Sequence, residues 1–145
     1  MKRLLLLFSV AAVLLSGCVG LGKDEWTPVN LPKSLEKQWV AFDYFLNCPV
    51  YMMDFAVVKG KACFATMTHE QYDSGKYSLK FNSDKLYTYT CEKNGKEYRL
   101  VFTSETTYYF SDITANTATL RVNDEENPTT EIKVADPPIN YVNKD

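Results

Sequence analysis

The chain has 145 residues, 46% of them hydrophobic and 14% aromatic, which suits one folded domain and excludes a disordered chain. Residues 1–17 carry Lys2 and Arg3 and no acid, so the remaining 128 residues hold 14 basic and 18 acidic side chains, a balance of −4. Phosphate recognition needs a basic face, so nucleic acid is excluded as the partner class.

Met1-Lys2-Arg3, an apolar run from Leu4 to Leu15, and then Ser16-Gly17-Cys18 read as a secretory signal over residues 1–17. A run of that length spans roughly 18 Å as a helix, well short of the ~30 Å hydrocarbon core, which argues against a transmembrane span. Leu15-Ser16-Gly17-Cys18 resembles the lipobox of bacterial lipoproteins. The resemblance implies that the Cys18 thiol receives a diacylglycerol, that cleavage falls before it, and that the new amine is acylated. One acyl chain holds only reversibly, whereas two or three hold a protein on the bilayer essentially permanently. Position 19 is Val rather than Asp, which in the enteric lipoproteins it resembles implies the outer membrane, periplasmic or surface-facing.

Residues 18–33 carry Gly20, Gly22, Pro28 and Pro32 with little periodicity, the composition of a lipid-anchored tether. Trp26 either docks on the folded body or lies near the lipid headgroups. A single β-rich domain is expected over residues 34–136, with 137–145 a tail after Pro137-Pro138. Leu35, Trp39, Phe42 and Leu46 line one helical face, which predicts a helix over 34–47 begun at Ser34 and stopped by Pro49. The alternation of Val40, Phe42, Tyr44 and Leu46 offers a strand instead.

From Val50 onward the alternation is β. Tyr51, Met53, Phe55 and Val57 share one face, Lys59-Gly60 is a tight turn, and a strand follows over 61–69, placing Cys63 opposite Ala56. Residues 70–75 form a polar loop, Tyr77, Leu79 and Phe81 share a strand face, and Asn82-Ser83-Asp84 turns the chain. Asn94-Gly95 is the strongest local signal, because both residues tolerate the positive φ of a hairpin turn. The register set by that turn pairs Cys91 with Tyr98, Tyr89 with Leu100 and Tyr87 with Phe102, and puts Tyr109 beside Leu100. Ala118, Leu120 and Val122 line a further strand, residues 124–128 turn, and Ile132 and Val134 mark the last strand. Seven to eight short strands predict a mainly β fold, a small antiparallel barrel or sandwich, with one N-terminal helix at most.

With Cys18 assigned to lipid, Cys48, Cys63 and Cys91 remain, an odd number. An oxidising compartment permits one disulfide and one free thiol. Three pairings are open and Cys48–Cys63 is preferred; the alternative buries all three as small hydrophobes. Chemistry finds little purchase. His69 is the only imidazole, at a strand end near Asp73 and Ser74, without a preorganised partner set. There is no Cys-x-x-Cys for zinc, the consecutive acids Asp124, Glu125 and Glu126 suit a solvated turn, and Gly60, Gly75 and Gly95 are turn glycines rather than a phosphate cradle. No enzyme activity, cofactor or metal is expected.

Tyr72, Tyr108 and Tyr141 fall outside the faces assigned to the core and form the candidate binding surface for an envelope or host protein. A barrel lined by Tyr77, Leu79, Phe81, Tyr87, Tyr89 and Leu100 offers a second role, carriage of a small hydrophobic ligand, unless side chains fill it. Tyr89-Thr90-Cys91, Asn94-Gly95 and Tyr98-Arg99-Leu100-Val101-Phe102 together resemble the opening strands of the membrane-bound inhibitors of c-type lysozyme. That family consists of small lipid-anchored antiparallel barrels that block the lysozyme cleft with loop side chains, and inhibition is what the resemblance implies. No residue of this chain takes an inhibitory role from it.

Overall fold

The computed structural model describes residues 25–42, 50–76, 78–80 and 82–142. The signal, the lipobox with Cys18, and Cys48 lie outside the described residues. In chain order the strands are β1 (Thr27–Pro28), β2 (Gln38–Ala41), β3 (Val50–Val58), β4 (Lys61–Met67), β5 (Ser78–Lys80), β6 (Tyr87–Asn94), β7 (Glu97–Phe102), β8 (Thr107–Ser111), β9 (Thr117–Val122), β10 (Thr129–Val134) and β11 (Asn140–Val142). A five-residue helix, α1 (His69–Asp73), follows β4, and a 3-10 turn spans Ser83–Lys85. The order β6-β4-β3-β2-β10-β9-β8-β7, closed by β6 on β7, makes an eight-stranded antiparallel barrel. Closure leaves the barrel strands without long free edges. β1 adds to β6 where β4 has ended, with Thr27 opposite Lys93 and Pro28 opposite Glu92.

The barrel interior is packed with side chains. Trp39, Phe55, Phe110, Met53, Leu100 and Ile132 are fully buried there, each contributing roughly 1.5–3 kcal/mol. A second cluster lies on the outer face of β2, β3 and β4, built from Val40, Val50, Met52, Cys63, Met67 and Leu79. The C-terminal segment covers it through Ala135 and Ile139. The wall between the two cores is therefore buried on both sides, so Trp39 faces the interior while its neighbour Val40 faces outward.

This double burial explains why residues 38–41 form a strand and not the predicted helix. Each residue of β2 finds a ladder partner, from Gln38 opposite Asp54 to Ala41 opposite Tyr51. The helical spacing of Leu35 and Trp39 comes instead from a turn. Leu35 N–H donates to the Pro32 carbonyl, and the Trp39 indole N–H donates back to the Leu35 carbonyl. The rest of the predicted helix, 43–49, lies outside the described residues.

Two registers also differ from expectation. The β6–β7 hairpin turns on Gly95-Lys96, with Asn94 opposite Glu97, so Cys91 pairs with Leu100 and Tyr89 with Phe102. Gly95 alone carries positive φ (58°), the pattern of a turn that needs glycine first. The slip is two residues, an even number, so the apolar face survives. In β8 the difference is one residue. Tyr108 rather than Tyr109 lies beside Leu100, and the two tyrosines exchange faces. At the β3–β4 hairpin Lys59-Gly60 turns as expected, with Val58 opposite Lys61. A bulge then places Cys63 opposite Asp54 instead of Ala56. The Asp54 carboxylate accepts from the Ala56 N–H at 3.0 Å, which closes the bulge.

Both ends of the predicted domain extend. Within the stretch read as a tether, β1 pairs on β6, and Val29 and Leu31 pack on the interior cluster. Within the stretch read as a tail, β11 pairs in parallel with β5. Gln38 grips that segment through its amide, donating to the Ile139 carbonyl (2.8 Å) and accepting from the Ile139 N–H (2.7 Å).

Candidate functional site

The two ends of the barrel differ. One end carries a plugging turn, 32–37, where Leu35 is fully buried and the Lys37 ammonium donates to the Ala115 carbonyl in the β8–β9 turn, and a recess of about 700 Å³ remains beside it between Val29, Leu31, Phe55, Gly60 and Tyr89. The other end is open among the described residues, with residues 43–49 between β2 and β3 lying outside them. There an apolar cup of about 340 Å³ is lined by Tyr51, Met53, Tyr108, Leu120 and Val122, with Asn127 and Thr130 at its edge. Phe64 is the hub of the aromatic collar around this end, within 5.9 Å of the rings of Tyr51, Tyr87, Phe102 and Tyr108. Tyr87 is 48% exposed. The Tyr51 and Tyr108 phenols face each other, and burial first, with Tyr51 adding to it, pushes the Tyr108 phenol well above its ordinary value. Neither hydroxyl ionises near neutrality, so the cup presents neutral phenols.

Beside the cup, a polar recess of about 450 Å³ is lined by Glu105, Thr107, Tyr109, Asn123, Asp124 and Glu125. These residues come from β8 and from the β7–β8 and β9–β10 turns; the two turns between them carry Glu105, Asp124, Glu125 and Glu126 and no basic residue. The turns brace each other. Asn123 N–H donates to the Thr107 carbonyl (2.7 Å), and the Asn123 side-chain oxygen accepts from the Thr107 N–H (2.9 Å). Glu105 and Asn123 both hold positive φ (66° and 61°), and the Asn127 amide donates to the Val122 carbonyl. The acids therefore sit on a fixed frame.

The three tyrosines chosen from the sequence do not share a surface. Tyr108 lines the cup. Tyr72 is half-buried against Phe42 and accepts from the Asp136 N–H (3.3 Å). Tyr141 donates its hydroxyl to Asp54 and packs on the second cluster. Burial and the bond to Asp54 push the Tyr141 phenol upward. All three are half-buried rather than exposed.

The preferred disulfide is likewise not formed. Cys63 and Cys91 are both free, buried thiols. They belong to different clusters, on opposite faces of the barrel wall, so they cannot meet. Burial pushes the Cys91 thiol up to about 11, with Glu92 adding to it, and raises Cys63 in the same direction with Asp54 adding. Thiols so raised are poor nucleophiles. Of the lining proposed for a ligand-filled barrel, Tyr89 and Leu100 face a packed interior, while Leu79 lies in the second cluster.

Among the described residues no group of three His, Cys, Asp or Glu could hold a metal ion. His69 begins α1 and stacks on Phe42 at 6.0 Å. Within the described residues no helix is long and apolar enough to cross a membrane. Sequence reasoning missed Glu105, whose turn lies between two clear strands, and treated Asp124 and Glu125 only as a solvated turn. The signal that the two turns meet is the Thr107–Asn123 pairing, which is non-local. No family model matches the chain, nor does any curated protein or solved structure.

Proposed function

We propose that this is a lipid-anchored envelope protein that works as a non-catalytic binding module, engaging a basic protein partner through the open end of its barrel. The observation that carries this reading is the coincidence at one barrel end of a concave apolar cup with two rigid turns bearing four acids and no base. Apolar contact supplies affinity there, and the acids select and steer a positively charged surface. Preorganisation matters because immobilised turns lose little entropy on binding. The lipobox resemblance at Cys18 and the outer-membrane implication of Val19 supply the address.

The test is direct. Glu105→Lys, Asp124→Lys and Glu125→Lys combined reverse the rim without touching either core. Photo-cross-linking from position 125 in intact cells is expected to capture a basic protein, and the triple variant, read from a cross-linker at position 127, is expected to lose it. Capture that persists in the folded triple variant, or an N-terminal peptide lacking lipid on Cys18, overturns the reading.

A second reading, inhibition of c-type lysozyme, draws support from the same observation. The family resembled is one of small barrels, this chain is a small closed barrel, and its acidic end suits a basic enzyme. Stoichiometric inhibition of hen lysozyme that vanishes in the triple variant identifies the partner as lysozyme, and its absence removes that reading. Carriage of a small hydrophobic ligand would use the cup or the recess of about 700 Å³ lined by Val29, Leu31, Phe55, Tyr89 and Cys91, and co-purified lipid in native mass spectrometry is its test.

A further inference from the structure

The plugged end carries the opposite charge. Lys59 sits in the β3–β4 turn and Lys61 just beyond it, while Lys96 forms the β6–β7 turn and Lys93 lies beside it. Lys33 and Lys37 belong to the plugging turn. Of these six, all but Lys37 are exposed. The acids at this end are Glu25, Glu36, Glu97, Asp112 and Asp136, which follows Ala135 on Gln38, leaving a positive excess of one, against four acids in the turns of the open end, where the nearest cation is the Arg121 guanidinium on the Asn123 carbonyl. The lysines are also displayed outward. β6 runs on past its last partner in β4, Thr88 opposite Lys61, to Asn94, so the β6–β7 hairpin projects beyond the β3–β4 turn with Lys96 at its tip.

The chain leading back to Cys18 leaves from this same end. Thr27 pairs with Lys93, next to that projecting turn. Trp26 is clamped on the adjacent outer wall, with the Arg99 guanidinium 4.5 Å from its ring and Tyr109 at 5.8 Å. Arg99 is itself held by Glu92 at 2.5 Å. From Glu25 to Cys18 is seven peptide steps, at most about 25 Å of chain. A lipid on Cys18 therefore keeps the lysine end within a short reach of the bilayer.

From this juxtaposition we propose that the lysine-bearing, plugged end of the barrel is a membrane-seating surface for anionic phospholipid headgroups, which holds the acidic mouth pointing away from the bilayer. The proposal rests on the anchored reading above. A patch of this size is weak alone, because lysine attraction to anionic headgroups fades within a Debye length of about 10 Å. The short tether makes the contact intramolecular, so a weak patch suffices. Repulsion of the four mouth acids from the same surface acts in the same sense.

The full-length protein, purified from cells with its anchor, tests this after reconstitution into vesicles of phosphatidylcholine alone or with about one-third phosphatidylglycerol. A membrane-impermeant amine reagent labels exposed lysines, and mass spectrometry reads each site. Labelling of Lys33, Lys59, Lys93 and Lys96 is expected to fall by about threefold or more on anionic vesicles at low salt and to recover at about 0.5 M salt. Lys76 and Lys85 should not change. Lys33→Glu, Lys59→Glu and Lys96→Glu combined should abolish the protection of Lys93. Equal labelling on both vesicle types, with the lipid mass confirmed on Cys18, overturns the seating surface while leaving the anchor intact. An unmodified Cys18 overturns the anchored reading. In that case co-sedimentation of the secreted chain with anionic vesicles decides the patch, and no difference from neutral vesicles overturns it.

Discussion

Leu100 and Val101 are neighbours in β7 with opposite fates, and they test the face assignment that organises the barrel. Leu100 is fully buried among the interior residues, between Cys91 and Tyr108 in the ladder. Val101 is half-buried on the outer wall. Leu100→Ala removes three heavy atoms of packing from the buried interior, at a cost of about 2–5 kcal/mol. Val101→Ala costs about 1 kcal/mol or less. The chain from 25 to 142 has 118 residues. At roughly 2.1 cal/mol/K of unfolding entropy per residue, each kcal/mol moves Tm by about 4 °C. Leu100→Ala is therefore expected to lower Tm by about 8–20 °C and Val101→Ala by about 4 °C at most, measured by circular dichroism at one scan rate. Leu100→Asp, which buries an unpaired charge, should not fold. Equal losses for the two alanine variants, or a larger loss at Val101, would refute the face assignment and with it the register of β6 through β8.

Alkaline pH is expected to destabilise the protein. Burial raises the phenol of Tyr89 to about 12 and the thiol of Cys91 to about 11 in the folded state, from ordinary values of 10 and 9. The native state thus holds protons that the unfolded chain releases, and stability falls as pH rises through that interval. Tm should be flat below pH 9 in this respect and decline between about 9 and 12, with Tyr89→Phe giving a shallower decline; an unchanged slope in that variant refutes the assignment. Deleting residues 137–145 is expected to lower Tm by several degrees and increase binding of a hydrophobic dye. The truncation uncovers the second cluster, removes both Gln38–Ile139 bonds and leaves Asp54 without its Tyr141 partner. A truncated chain as stable as the full one would restore the tail reading.

The local features of this fold were legible in the amino-acid order. Alternation identified β6, β7 and β9, a run of apolar and aromatic residues identified β3, and turn chemistry located Lys59-Gly60, the Gly95 hairpin and the 124–128 turn, because each depends on a few adjacent residues. An even slip in the β6–β7 register left its faces intact for the same reason: period-two patterning specifies which face is apolar, not which pair of residues meets. Tertiary structure alone decided the rest. β2 is apolar on both faces because it divides two cores, and such a run is ambiguous between helix and strand until its partners are present. Tyr72, Tyr108 and Tyr141 look exposed until a helix, a barrel interior and the buried Asp54 claim them. The acidic mouth and the lysine end exist only because closure of the barrel gathers turns that lie far apart along the chain, and no periodicity in the sequence encodes which turns share an end.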